Sequence, residues 1–165
     1  MVKRIRTTSA LDAKDRLILR LVQRDATLAQ AGIAKKVGLS TAAVSERLKK
    51  LEASGVIRRW TAVVEPRLVG ASVTAFVEVF FEHPRFETGF IDRVQQLDEV
   101  LEVHHITGEF SLLLKARVQD MEALQSLLLE QLSAHEGVRQ TRTVMVLSTV
   151  KEETYIDTVL KGETS

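Results

Sequence analysis

At 165 residues, 45 % hydrophobic and 27 % charged, the chain has a globular composition, long enough for one domain or two small ones and neither disordered nor membranous. No apolar run approaches the roughly 20 residues that cross a bilayer, and the basic start Met1 to Thr8 leads into no apolar signal core. With no cysteine, disulfides, thiolate metal sites and a cysteine nucleophile are excluded, and a cytoplasmic protein is expected. The net charge of +1 hides a split: residues 1–65 hold 14 Lys and Arg against 6 Asp and Glu, or +8, and the remaining 100 residues hold 9 against 16, or −7.

That asymmetry suits a basic nucleic-acid module followed by a mildly acidic sensing or oligomerising module, with the joint near Pro66 and domains at 1–65 and 66–165. The first predicted helix runs from Leu11 to Arg24. Asp12 can cap it, Asp15 favours its positive dipole end, and Leu17, Ile18, Leu21 and Val22 form its apolar stripe. Thr27 and Gln30 fit a T-x-x-Q capping box for a short second helix lined by Leu28, Ala31, Ala34 and Val37, which Gly32 weakens.

Gly38 can then turn the chain at positive φ, and Ser40 is a strong N-cap for a third helix beginning at Thr41. Val44, Leu48 and Leu51 fall on one stripe and face a core. The other side carries Ala42, Ser45, Glu46 and Lys49, flanked by Ala43, Arg47 and Lys50, and Gly55 ends the helix. Small residues in the first turn allow close approach to base edges, Ser and Thr can bond bases or phosphates, and Lys and Arg neutralise phosphate charge. On its own such a helix could equally be solvated surface. As the second helix of a helix-turn-helix it would enter the major groove of DNA. The candidate DNA-binding residues are Ser40, Thr41, Ala42, Ala43, Ser45, Glu46, Arg47, Lys49 and Lys50. Val56 to Val64 reads as a β-like linker, with Trp60 as a packing residue rather than a stacking one.

The second half reads as β-α-β-β-α-β. Ser72 to Phe81 is a strand with Val73, Ala75, Val77, Val79 and Phe81 on one face and Thr74, Phe76, Glu78 and Phe80 on the other. Phe90, Ile91, Val94 and Leu97 mark a helix. Val100 to Thr107 and Phe110 to Val118 are strands around Gly108-Glu109, a pair suited to a two-residue type II′ turn. Asp120 caps a helix carrying Met121, Leu124, Leu127, Leu128 and Leu132, and Val138 to Val150 is the last strand. This order gives a ferredoxin-like fold with both helices on one sheet face. The other face would expose Phe76 and Phe80, each forfeiting roughly 1.5 to 3 kcal/mol in water, so two sheets are expected to pack face to face as a homodimer. A two-fold dimer would place two reading helices in successive major grooves.

The segments LDAKDRLIL, KKVGLS, ERLKKLE-x-x-G and G-x-I-x-x-W-x-A-x-V, with Leu68 and Gly70 closing the linker, resemble the Lrp/AsnC family of bacterial and archaeal transcription regulators over residues 11 to about 152. The resemblance implies an α+β chain: an N-terminal winged-type helix-turn-helix joined by a β linker to a C-terminal ferredoxin-like βαββαβ domain. It implies double-stranded DNA as partner, an amino-acid effector, and dimers assembling into a tetramer or octamer. The effector would lie near the hairpin, here Thr107, Gly108, Glu109, Phe110 and Ser111. Departures from the family pattern are Ala29 for Ser or Thr, Gly32 for an acidic residue, Trp60 for Tyr, and Ser111 for the second acid of G-D-x-D. The last removes a carboxylate suited to an effector's α-ammonium group, so Glu109 takes that role, the ligand differs, or none binds.

No phosphate-binding, zinc-protease or nucleophile-elbow motif is present, and no cofactor, metal or membrane partner is expected. His104 and His105 are adjacent on a strand and point to opposite faces; His83 and His135 lie at a turn and a helix end. Two alternatives remain. One is a subunit resembling the sirohaem decarboxylases, which share the two-domain plan, using His104 or His105. The other is an effector-independent architectural DNA-binding protein.

Overall fold

A computed structural model describes residues 11–158; the basic segment Met1 to Thr8 lies outside them. The chain divides into two compact units, one made of residues 1–63 with 152–165 and the other of residues 64–151. The joint falls two residues before Pro66, and residues 152–158 cluster with the first unit rather than with the second, which corrects the expected 66–165 boundary.

The first unit is built on α1 (Ala13–Arg24), α2 (Gln30–Val37) and α3 (Thr41–Ala53). Asp12 and Asp15 form a full capping box on α1, each carboxylate accepting from the other's backbone N–H. The box expected on α2 does not form: Ala29 is the N-cap and no side chain caps it. Thr27 instead gives both its N–H and its hydroxyl to the Asp25 carboxylate, closing a local turn that competes with the cap and holds that carboxyl below its usual range. Ile18, Leu19 and Val22 of α1 pack against Ile33, Ala34 and Val37 of α2 and Val44, Leu48 and Leu51 of α3.

The C-terminal segment completes this unit. Gln23 of α1 clasps the backbone of Ile156 with both ends of its amide, donating to the carbonyl and accepting from the N–H, each at 2.9 Å. Arg16 donates to the carbonyl of Thr158, whose hydroxyl returns a bond to the carbonyl of Arg16. The Arg24 guanidinium lies 5.3 Å from the centre of the Tyr155 ring. Residues 56–64 form no strand ladder among the described residues, so the expected β linker is unpaired within this chain, with Val63 and Val64 exposed.

The second unit is the expected βαββαβ: β1 (Val73–Phe81), α4 (Glu87–Val94), β2 (Val100–His105), β3 (Leu112–Val118), α5 (Met121–Ser126) and β4 (Val138–Met145). All pairings are antiparallel in the order β2-β3-β1-β4, with Val77 opposite Leu114 on one side and Thr143 on the other. Alternate residues of β1 and β3 are buried under the helices, with Phe90, Val94, Leu124, Leu127 and Leu132 above them. Asp120 caps α5 through the N–H of Ala123. The helix continues as a π-helical stretch over Leu127–Ser133, whose wider turn keeps Leu127 and Leu132, five apart, both buried.

Three boundaries differ from expectation. β4 stops at Met145 rather than Val150, because β1 runs out of partners: the N–H of Val146 makes the final bond, to the carbonyl of Thr74. Beyond it Leu147 and Val150 are exposed. The β2–β3 connection is not a two-residue turn. The N–H of Ile106 bonds the carbonyl of Ser111, closing a four-residue loop of Thr107, Gly108, Glu109 and Phe110. Burial of Phe110, only 6 % exposed, draws the chain inward and delays β3 until Leu112.

Candidate functional site

The turn between α2 and α3 is built as its residue types require. Gly38 ends α2 at φ 68°, left-handed backbone that favours glycine. Ser40 opens α3 by accepting from the N–H of Ala43 at 3.2 Å, and Gly55, at φ 77°, follows its end. With Val44, Leu48 and Leu51 turned to the core, Ser40, Thr41, Ala42, Glu46, Lys49 and Lys50 are exposed and Ala43 and Ser45 half-buried. These eight share one free surface, which begins with small side chains and ends with two ammonium groups.

Arg47 is placed differently. Its Nη1 donates to Asp12 and to Asp15 of α1, both at 2.6 Å, so it points back across the domain instead of outward. The backbone N–H of Asp15, and then the guanidinium, hold the Asp12 carboxyl below its usual range, and the two carboxylates raise the pKa of Arg47 in return. Beside them Lys14 donates to the carbonyl of Val37, the last residue of α2. Trp60, 44 % exposed, donates its indole N–H to Glu52 of α3 at 2.7 Å and borders a groove of about 330 Å³ that Ser45 and Lys49 also line. It is therefore not part of the packed core, where a packing residue was expected, and its contact with α3 is the polar one to Glu52.

In the second unit the hairpin residues Thr107, Gly108, Glu109 and Ser111 surround Phe110, whose ring meets Phe80 edge-on at 6.5 Å. The Arg142 guanidinium of β4 lies over the Phe110 ring, 4.9 Å from its centre, and is ion-paired with Glu78. Glu78 first, and Glu109 more weakly, raise its pKa. Sequence reading missed Arg142, because only the β1–β4 register, with Glu78 opposite Arg142, brings it to the hairpin. Phe76 and Phe80 are half-buried on the open sheet face, as parity required. That face is more charged than parity alone suggests: Lys115 bridges to Glu102, which also bonds His104 at 3.0 Å, and these contacts, His104 first, hold the Glu102 carboxyl below its usual range. His105 lies 4.0 Å from Glu87 of α4, so the two imidazoles do not converge on one ligand position.

A capped recognition helix in a three-helix unit, with a separate ferredoxin-like unit behind it in sequence, defines a two-domain DNA-binding transcription regulator with a ligand-binding domain. Residues 11–58 match the family described as winged helix-turn-helix DNA-binding, and residues 74–156 match the Lrp/AsnC ligand binding domain. The chain belongs to the Lrp/AsnC family. It is 40 % identical over 144 residues to the leucine-responsive regulatory proteins of Klebsiella pneumoniae and of Escherichia coli K12, covering 86 % of this chain and 88 % of each relative. Among solved structures it is similar to a transcriptional regulator of Neisseria meningitidis in complex with L-Met, with a TM-score of 0.84, 31 % identity, and coverage of 89 % of this chain and 96 % of that one. It is also similar to AsnC of E. coli, with a TM-score of 0.82, 27 % identity, and coverage of 88 % and 98 %. Among the described residues no helix is long and apolar enough to cross a membrane.

Proposed function

We propose that this regulator acts in the cytoplasm by inserting α3 into the major groove of double-stranded DNA, with Thr41, Ala42, Ala43, Ser45 and Glu46 against base edges and Ser40, Lys49 and Lys50 on phosphates. One observation carries this reading: Ser40 caps the helix at the point where its small residues become exposed, so backbone and short side chains reach the groove without long side chains intervening. Two chains pair through the open sheet faces around Phe76 and Phe80, presenting two such helices to a pseudo-palindromic site, and the dimers assemble further into a tetramer or octamer. The half-covered state of both phenylalanines and the exposed Val144 beside Phe76 support that pairing.

The effector is an amino acid bound at the hairpin of Thr107, Gly108, Glu109, Phe110 and Ser111. Glu109 faces its ammonium group, and Arg142, already raised on Phe110, faces its carboxylate. The complex of the Neisseria relative with L-Met favours an amino acid over other small molecules. Coupling to DNA follows if one assembly binds the effector better than another, since a ligand shifts an equilibrium only by its differential affinity. Mapping of genomic binding sites, with a thermal-shift screen of the twenty amino acids on the full chain, tests both halves. Recovery of a palindromic motif and a rise in melting temperature with one class of amino acid are expected. Sequence-independent coating of DNA would favour the architectural alternative, and the absence of any shift would remove the effector.

A further inference from the structure

The first turn of α1 carries Asp12, Lys14 and Asp15, and all three reach across to the helix-turn-helix. Lys14 donates to the carbonyl of Val37 at the end of α2, where a Cβ on Gly38 would come within 3.6 Å of its ammonium. Asp12 and Asp15 both hold Nη1 of Arg47 on α3. One turn of helix therefore grips both halves of the motif, one contact on each side of the turn at Gly38.

Arg47 stands at the edge of α3 between the buried Leu48 and the exposed Glu46, a position from which a long side chain can swing inward or outward. The inward choice changes its electrostatics. Asp12, Asp15 and Arg47 together sum to one negative charge, and Lys14 beside them brings the group only to neutrality, so the cluster offers phosphate no net positive charge. Its value to DNA binding must be geometric. The carboxylates are themselves fixed as the capping box of α1, so Arg47 is anchored to groups with little freedom left to lose. The apolar contacts beneath, Val44, Leu48 and Leu51 against Ile18, Leu19 and Val22, are non-directional; the ion pair, with two partners on one nitrogen, adds a directional contact at the edge of α3.

We infer that Arg47 is a positioning residue: held by Asp12 and Asp15, it sets the angle at which α3 meets the groove, and the regulator's sequence discrimination depends on this clamp rather than on an Arg47–phosphate contact. The inference rests on α3 being the reading helix.

The sign of one effect separates the two roles. If Arg47 served phosphate, removing a nearby negative charge would strengthen DNA binding; if Arg47 is a clamp, the same change weakens specific binding. Asp12→Asn and Asp15→Asn keep a side-chain acceptor for the cap, so the fold survives. Full-length wild type, these two variants, Arg47→Gln and Lys49→Gln are titrated by fluorescence anisotropy across a salt series, well below every melting midpoint. Two duplexes are used: the tightest binder selected from a random-sequence library, and a scrambled duplex of equal length. Asp15→Asn and Arg47→Gln are each expected to lose about tenfold on the selected duplex, the size of one mismatched base pair, and less than about twofold on the scrambled one. Their salt slopes stay at the wild-type value, and a double variant combining Asp15→Asn with Arg47→Gln, titrated alongside them, is no weaker than the worse single variant. Tighter binding by Asp15→Asn, with a slope about one unit smaller for Arg47→Gln on both duplexes, overturns the inference. So does a variant that melts earlier yet keeps wild-type discrimination, since Arg47 would then stabilise without positioning. Lys49→Gln is the separate check on the underlying reading: an unchanged affinity and slope there would mean that α3 does not read DNA.

Discussion

The two units solve the problem of rigidity by different means. The ferredoxin-like unit has fourteen buried apolar residues, three of them phenylalanines, and a four-stranded ladder whose register places those on the strands. Among the described residues the DNA-binding unit has nine, none aromatic, and no ladder. Its precision comes instead from directional groups at helix ends: the Asp12–Asp15 capping box, Ser40 on α3, Lys14 on the last carbonyl of α2, and Arg47 between two carboxylates. A small core suffices for stability, and directional contacts add to it in setting the angle of a helix that must match a groove.

Breaking that contrast should show most in the ladder unit. A Cβ on Gly137, at φ 82°, would lie 2.1 Å from the Phe86 ring, so Gly137→Ala is expected to destabilise that unit by about 3 kcal/mol, from overpacking plus left-handed strain, measured by urea unfolding. Leu51→Ala, in the other core, should cost about 2 to 3 kcal/mol and lower the melting of the DNA-binding unit. Ser40→Ala should cost about 1 kcal/mol by the same measurement, a large share for one hydroxyl and a direct test of how far caps define this unit. Glu46→Gln should leave stability unchanged within about 0.5 kcal/mol while altering the base preference recovered by selection.

The smallest effect is on pH. The folded pKa of Asp12 lies below its usual range, so the stability it contributes is fully present above that range and is lost as pH falls through the depressed value. Urea midpoints of the wild type should therefore drop on acidification more than those of Asp12→Asn. An equal drop in both would detach Asp12 from the acid response. Both groups of the pair are partly exposed, so solvent screening keeps this contribution modest.

What the sequence disclosed divides along the same line. The α3 turn was legible because its signals are local: Gly38, Ser40 and the spacing of Val44, Leu48 and Leu51 lie within fourteen residues and follow helix periodicity. The parity of β1 correctly separated Val77 and Val79 from Phe76 and Phe80. The failures involve competing partners or distant ones. Thr27 has the residue type of a helix cap but bonds Asp25, two residues away. Gly108-Glu109 looked like a tight turn until Phe110 found Phe80 and Arg142, contacts that depend on strand register. Arg47, thirty-two residues from Asp15, carries the same charge whether it faces phosphate or carboxylate, so composition could not tell the two apart.

The clasp of Gln23 on Ile156 has a consequence for biosynthesis. Domains usually fold as they leave the ribosome, first part first. Here the helices of the DNA-binding unit emerge early, yet the segment whose contacts finish α1 follows some 95 residues after Val63. At about 5 to 20 residues per second, the nascent reader waits on the order of 5 to 20 seconds for its last piece. By then the entire βαββαβ unit has been made. The protein therefore completes its DNA-binding unit only after its ligand-binding unit has been translated.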